Sequence, residues 1–356
     1  MQEAFLVLED GTVFKGKAFG AKAEAVGELV FTTGVVGYLE TLTDPSYAGQ
    51  IILQTFPMIG NYGVIESDFE GESALFGYIV RELCPTPSNF RSEGRLNDYL
   101  VAKGIPGLSG VDTREIVRIT REEGVMNAMI CDTLPADLSA VKSYQVRDAV
   151  GSVSGKAVRA VPAEGKEIAR VALMDYGVKR NIIRSLTRRG CAVTVYPADT
   201  PAETVLAADP DGIMLSNGPG DPKEAAFCIA QIAKMIGKKP IFGVCLGHQL
   251  TALALGGDTV KLKYGHRGGN QPVLETATGR GYITSQNHGY AVVAESLKGV
   301  GTPSFTNLSD GSCEGMTYPG LNCATVQFHP EAASGPRDTG FLFDEFVARM
   351  GGKAHA

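Results

Sequence analysis

The residue best placed for covalent chemistry is Cys245, which lies within Gly-Val-Cys-Leu-Gly at 243–247. The apolar run before this cysteine predicts a β-strand, and the run after it predicts a helix. G-x-C-x-G between a strand and a helix is the cysteine counterpart of the G-x-S-x-G nucleophile elbow. The glycines permit a sharp turn, and a helix N-terminus favours the thiolate and offers free N–H groups to an oxyanion. The pattern predicts a cysteine nucleophile.

Two other interpretations of Cys245 stay open at this point. Most cysteines in a chain of this kind are small buried apolar residues, and the seven here, at 84, 131, 191, 228, 245, 313 and 323, include no C-x-x-C pair. Cys245 and His248 also form C-x-x-H, the spacing of half a zinc site. No second close pair completes a tetrahedral site, so we expect no bound metal.

A thiol nucleophile needs a base, and His329 is the best candidate among the five histidines. It ends an apolar run that predicts a strand, which Pro330 terminates. Glu331 is two residues further on, within reach of the same imidazole in a turn, where a carboxylate can fix the tautomer and stabilise the imidazolium. Alone, His-Pro-Glu is a weak signal, since a turn histidine beside a surface carboxylate is common. Together with an elbow cysteine, it predicts a Cys245–His329–Glu331 triad.

The second half of the chain predicts the scaffold that positions these residues. From about residue 169, apolar strand-like runs alternate with helical runs, which is typical of a mostly parallel sheet covered by helices on both faces. Such sheets bind ligands at the carboxyl ends of their strands. We therefore predict an α/β fold whose C-terminal part, 169–356, is a doubly wound, mostly parallel sheet.

The first half predicts a smaller α+β domain over 1–150. Asp10-Gly11 separates two strand-like runs and predicts a hairpin, and Asp112 with Glu115 predicts a capped helix start. Residues 151–168 are polar, rich in glycine and lysine, and weakly periodic. We predict a linker there.

Composition excludes several classes of function. The net charge of -6 gives no general attraction to nucleic acid or to an anionic membrane. No apolar stretch approaches the roughly 18 residues that span a bilayer, and the N-terminal residues do not resemble a signal peptide, so we expect a cytoplasmic protein. Residues 11–18 fit most of a P-loop, but Ala18 replaces the Ser or Thr that binds magnesium. The chain has no visible means of using ATP.

The second half resembles the class I, or triad, glutamine amidotransferases. The resemblance rests on the cysteine elbow, on Ser-Asn-Gly-Pro-Gly-Asp-Pro at 216–222 and on His-Pro-Glu at 329–331. Further motifs resemble the small-subunit family of carbamoyl-phosphate synthase: 265–272 and 285–290 in the second half, and 31–34, 42–47, 60–63 and 110–114 in the first. The N-terminal motifs are not shared by other triad amidotransferases, so the resemblance spans nearly the whole chain.

The resemblance implies a role for individual residues. Cys245 would attack the side-chain amide of L-glutamine, His329 would move protons, Glu331 would orient the imidazole, and a γ-glutamyl thioester would form. The Gly218 and Leu246 amides would form the oxyanion hole. The implied glutamine-binding residues are Ser46, Gly218, Gly220, Leu246, Gln249, Asn287, Gly289 and Tyr290. The family commonly has Phe where Tyr290 stands, which keeps a ring and adds a hydroxyl.

The resemblance also implies a partner. A separate large synthetase subunit would bind ATP, magnesium and bicarbonate, and would receive ammonia from this chain, which itself needs no cofactor. The product would serve arginine or pyrimidine synthesis. Two alternatives remain: the glutaminase of another pathway, such as anthranilate or guanylate synthesis, which the N-terminal motifs disfavour, and a non-catalytic regulatory subunit, which the complete triad disfavours.

Overall fold

The computed structural model describes residues 2–351 and divides into two compact units, 1–147 and 148–356. In the described part of the first unit, seven strands form a closed barrel in the order β1-β2-β6-β5-β4-β3-β7. The strands are β1 (Glu3–Leu8), β2 (Val13–Gly20), β3 (Ala25–Thr32), β4 (Gln50–Ile59), β5 (Gly77–Leu83), β6 (Pro106–Ser109) and β7 (Met126–Cys131). The helices are α1 (Tyr38–Thr43), α2 (Leu96–Ala102), α3 (Thr113–Glu123) and α4 (Ser139–Lys142).

The local predictions for this unit are confirmed. Strands β1 and β2 pair antiparallel around the Asp10-Gly11 turn. Helix α3 begins directly after Asp112, whose carboxylate accepts from the backbone N–H groups of Arg114 and Glu115 at 3.1 Å each. A side-chain cap of this kind satisfies helix donors that have no internal partner.

The second unit contains a ten-stranded sheet among its described residues. Its order is β14-β13-β15-β16-β17-β12-β11-β9-β10-β8. The strands are β8 (Arg159–Val161), β9 (Ala169–Asp175), β10 (Cys191–Pro197), β11 (Gly212–Leu215), β12 (Ile241–Val244), β13 (Asp258–Glu275), β14 (Gly281–Val293), β15 (Thr302–Asn307), β16 (Cys313–Tyr318) and β17 (Cys323–Val326). The helices are α5 (Ala149–Val153), α6 (Arg180–Thr187), α7 (Ala202–Ala207), α8 (Ala226–Met235), α9 (Leu246–Ala254) and α10 (Phe341–Arg349).

The central strands of this sheet explain the apolar runs in the sequence. Strands β17, β12, β11, β9 and β10 pair in parallel. Along β9, Val171 and Leu173 face the core that contains α6 and α10, while Ala172 and Met174 face the core of α7, α8 and α9. Because helices cover both faces, most positions of the central strands are buried and the sequence does not alternate. The α/β prediction is confirmed, and antiparallel strands extend the parallel centre on both sides.

The segment 151–168 differs from the predicted linker, because it belongs to the second unit. Strand β8 pairs antiparallel with β10 at the edge of the sheet. The Ser154 hydroxyl accepts from the Ala198 N–H at 2.9 Å, and the Gly155 N–H donates to Asp175 at 3.0 Å. Backbone pairing and short polar contacts hold the segment, and neither produces the apolar periodicity that identifies a structured element from sequence.

Across residues 2–351, no helix is both long enough and apolar enough to cross a bilayer.

Candidate active site

Cys245 lies between β12 and α9, at the carboxyl end of a parallel strand. Its φ of 52° and ψ of -101° place a non-glycine residue in a strained backbone conformation. The flanking glycines have a direct steric cause. A Cβ on Gly243 would lie 2.9 Å from a methyl group of Thr325, and one on Gly247 would lie 2.5 Å from the Leu215 carbonyl oxygen. The predicted elbow is thus built by close backbone packing at a strand-to-helix turn.

The thiol of Cys245 is buried and held on two sides. The Gln327 side-chain amide donates to Sγ at 3.6 Å, and the thiol donates to the Asn287 carbonyl oxygen at 3.7 Å. The backbone N–H of Cys245 also donates to the Val326 carbonyl at 2.8 Å. Strand β17 and the middle of β14 therefore fix the sulfur, although neither is near it in the sequence.

His329 follows β17 and faces Glu331. Nδ1 of the imidazole lies 2.6 Å from Oε1 of Glu331, and both side chains are almost fully buried. Burial is the largest single effect and lowers the pKa of His329, but the charge and hydrogen bond of Glu331, added to the effect of Cys245, raise it to about 10. The Cys245 side chain adds to this rise, whereas Nε2 has no hydrogen bond of ordinary geometry among the described residues. Thiol and imidazole are near neighbours, as is common in a catalytic pair without substrate.

Lys179 is a member of this site that the sequence did not reveal. Its Nζ lies 3.0 Å from Oε1 of Glu331, and the two side chains are 4% and 0% exposed. Burial raises the pKa of Glu331, but Lys179 and His329 outweigh it and lower the pKa to about 2. Lys179 caps α6 just after the carboxyl end of β9, and its backbone N–H donates to the Asn217 side chain at 3.1 Å. That position after a parallel strand is the signal that could have identified it.

Gly218 and Leu246, the predicted oxyanion donors, are neighbours. A Cβ on Gly218 would lie 2.7 Å from a methyl group of Leu246 and 2.2 Å from the Tyr176 carbonyl oxygen. Neither backbone N–H donates to another group within residues 2–351. Two uncommitted donors beside a buried thiol have the arrangement that an oxyanion hole requires.

The other predicted glutamine contacts fall into three groups. The Gln249 side-chain amide donates to the Tyr290 carbonyl at 2.8 Å and to the Gln327 side chain at 3.0 Å, which links α9 to β14. Asn287, Gly289 and Tyr290 lie together on β14, and Gly220, with φ of 88°, lies in the loop after β11. Ser46 is in the first unit, in the 3-10 turn Pro45–Tyr47, where its N–H donates to the Asp44 carboxylate at 2.9 Å. The roles of these residues stay predictions.

One group within residues 2–351 has the residue types and spacing of a metal site. It comprises His266, His288 and Glu314, all buried. His266 already contacts two carboxylates, with Nδ1 at 3.2 Å from Glu314 and Nε2 at 2.9 Å from Asp310. The donors and acceptors of His266 are therefore matched without an ion.

Comparison with known proteins gives two family matches. Residues 6–130 match the model described as carbamoyl-phosphate synthase small chain, CPSase domain, and residues 172–349 match the glutamine amidotransferase class-I model. The chain is 49% identical to the carbamoyl phosphate synthase small chain of Listeria innocua, covering 100% of both chains. It is also 49% identical to that of Bacillus caldolyticus, covering 96% of this chain and 95% of the relative.

Proposed function

The chain belongs to the family of carbamoyl-phosphate synthase small chains, and from this premise we propose that it is the glutaminase subunit, with Cys245, His329 and Glu331 as its catalytic residues. The reaction is hydrolysis of L-glutamine to glutamate and ammonia. The observation that carries the assignment is the buried elbow thiol beside an imidazole whose far nitrogen is 2.6 Å from a carboxylate. This is the order of groups that activates a nucleophile.

The first chemical step forms the thioester. The proton of the Cys245 thiol passes to His329 as the sulfur attacks the side-chain carbonyl carbon of glutamine, and the carbonyl oxygen becomes an oxyanion between the Gly218 and Leu246 amides. His329 then gives a proton to the amide nitrogen, the C–N bond breaks and ammonia leaves. Glu331 holds the imidazolium in orientation and stabilises its charge.

The second step hydrolyses the thioester. His329, now neutral, removes a proton from water as the water oxygen attacks the acyl carbon. The C–S bond breaks, glutamate leaves and the proton returns to the sulfur. The same oxyanion donors act in both steps, because both pass through a tetrahedral intermediate.

We propose that Gln249, Asn287, Gly289 and Tyr290 bind the amino-acid end of glutamine, that Gly220 shapes the loop beside it, and that Ser46 contributes a further contact. Asn287 already contacts the sulfur through its carbonyl, which supports a substrate position along this part of β14.

The family assignment implies a large-subunit partner. We propose that this partner binds ATP, magnesium and bicarbonate and receives the ammonia, which must travel shielded from water because it is protonated near neutral pH. Carbamoyl phosphate made in this way would serve arginine or pyrimidine synthesis in the cytoplasm. A glutaminase of guanylate or anthranilate synthesis is disfavoured by the match of residues 6–130.

The test is Cys245→Ser, with Cys84→Ser as the control because Cys84 is a partly exposed thiol of the barrel unit. With its large subunit, Cys245→Ser should lose glutamine-dependent carbamoyl phosphate synthesis and keep the ammonia-dependent rate, and Cys84→Ser should keep both. An electrophilic glutamine analogue should label Cys245 in the wild type. Full glutamine-dependent activity in Cys245→Ser would overturn the nucleophile assignment.

A further inference from the structure

A buried polar cluster lies behind the proposed glutamine site and takes no part in the reaction above. It joins three antiparallel strands: His266 on β13, His288 on β14 and Glu314 on β16. His266 and His288 are directly paired in the ladder, and their rings are 4.9 Å apart. Asp310, in the turn before β16, completes the cluster from the side of the solvent. The protein retains these polar groups inside a sheet, where burial alone opposes them.

Both ring nitrogens of His266 face a carboxyl group. Each ring nitrogen lies beside a carboxylate oxygen, of Glu314 on one side and Asp310 on the other. A neutral imidazole carries one N–H and cannot donate to both. Burial lowers the pKa of His266, but Glu314 and Asp310 outweigh burial and raise it. His266 thus lies between two carboxyl groups that favour its charged form, with His288 and the Asn307 amide as its other polar neighbours.

Glu314 also lies beside His288, whose ring packs edge-on against the ring of His266 and whose Nε2 is 3.2 Å from the Gln286 side-chain oxygen. Oε1 of Glu314 is 3.8 Å from Nε2 of His288, and its Oε2 is buried without a hydrogen-bond partner among the described residues. Glu314 is 0% exposed and has neither lysine nor arginine within ion-pair distance in the described part of the chain. Its position therefore depends on the two histidines, on Asn307, whose amide donates to Oε1 at 3.1 Å, and on the Ser312 hydroxyl, which donates to the same oxygen at 3.5 Å.

His288 contacts the segment that we propose to bind glutamine. Its Nδ1 donates to the Tyr290 carbonyl at 2.9 Å, the same oxygen that accepts from Gln249. The β13–β14 ladder is interrupted here, with a register shift between the Lys261 and His266 pairings. Gly289 lies inside that gap, so regular strand pairing does not fix this part of β14. Instead of regular strand pairing, side-chain contacts from His288 and Gln249 hold this part of β14.

We propose that Glu314 and Asp310, acting through His266 and His288, are positioning residues that hold the Asn287–Tyr290 segment in its glutamine-binding conformation. The inference rests on the proposed glutaminase function and concerns affinity for glutamine. None of the four side chains needs to contact the reacting atoms. Loss of the Glu314 or Asp310 carboxyl group should therefore raise KM for glutamine more than it lowers kcat.

The decisive variant is Glu314→Gln, which keeps the shape and removes the charge that orders His266. Its control is Glu295→Gln, the same substitution at an exposed residue that follows β14. In the full-length chain with its large subunit, Glu314→Gln should raise KM for glutamine about tenfold, the order expected for a lost charge-assisted hydrogen bond. Its kcat should stay within about twofold of the wild-type value, and its melting temperature should stay close to that of the wild type. Glu295→Gln should match the wild type in KM, kcat and melting temperature.

A second variant keeps the test decisive if Glu314→Gln fails to fold. Asp310 is 43% exposed at its side chain, so Asp310→Asn should fold and raise KM in the same direction by a smaller factor. Unchanged KM in the folded variants would overturn the proposal, as would a loss confined to kcat. One equivalent of zinc in the purified protein would also overturn it, since the cluster would then be a metal site. Absence of glutaminase activity in the wild type would instead refute the proposed function.

Discussion

The buried pair of Lys179 and Glu331 gives the most quantitative prediction. In Lys179→Met, the long side chain keeps its packing, but Glu331 loses a cation at 3.0 Å. Coulomb's law at 3.0 Å and an effective dielectric constant of about 20 gives an attraction of about 5.5 kcal/mol. Removal of one partner of a buried pair costs about 3–5 kcal/mol, because the other charge stays buried. Glu331 still has His329 as a partner at 2.6 Å. We therefore expect Lys179→Met to lower the free energy of unfolding by about 3 kcal/mol, the lower end of that range.

The measurement is urea unfolding at pH 7, followed by circular dichroism. The control is Lys223→Met, because Lys223 pairs with Asp258 at 2.7 Å but both side chains are more than half exposed. Exposed pairs contribute little, so the control should unfold close to the wild type. Equal losses in the two variants would refute the reasoning, because burial would then not decide the strength of the pair. So would an unchanged unfolding midpoint in Lys179→Met.

The pH dependence of the stability of Lys179→Met tests whether the charge on Glu331 causes the loss. The pKa of Glu331 is lowered to about 2 in the folded protein, below its ordinary value of about 4.3. A lowered pKa stabilises the fold above the unfolded-state value, and that stability is lost as the pH falls through the folded-state value. In Lys179→Met the pKa of Glu331 is lowered less, so this pH-dependent part of the stability is smaller. The stability difference between wild type and variant should therefore be largest above about pH 4.5 and shrink towards pH 3.

Two further predictions concern catalysis. Gly218→Ala should lower the glutaminase rate by about 10² or more, because its Cβ would lie 2.2 Å from the Tyr176 carbonyl oxygen and displace an oxyanion donor. Gly320→Ala, whose Cβ would meet no atom within 4 Å, should keep wild-type rates, and equal rates in both would count against the oxyanion hole. Glu331→Gln should lower kcat by about 10²–10⁴. The pKa of His329 should fall from about 10, so the alkaline limit of the kcat–pH profile should move to lower pH, and an unmoved limit would contradict this.

Local sequence determined the parts of this protein whose physical cause is local. The cysteine elbow could be identified because a sharp turn and close backbone packing admit only glycine at 243 and 247. The Asp112 helix start and the Asp10-Gly11 hairpin follow from contacts within a few residues. The apolar runs of the central strands predicted a sheet covered on both faces, since burial on both sides leaves few polar positions.

Tertiary structure alone decided which distant groups meet. Lys179 reaches Glu331 across about 150 positions of the sequence, and the contact exists because β9 and β17 end at the same edge of one sheet. The polar run 151–168 became part of the second unit through backbone pairing, which leaves no signature in side-chain type. In the sequence, His266 lies in the glycine-rich run 265–272, which predicts a loop, and Glu314 belongs to no motif. Their chemistry arises from burial and from each other's charge, and both depend on how the strands are ordered in the sheet.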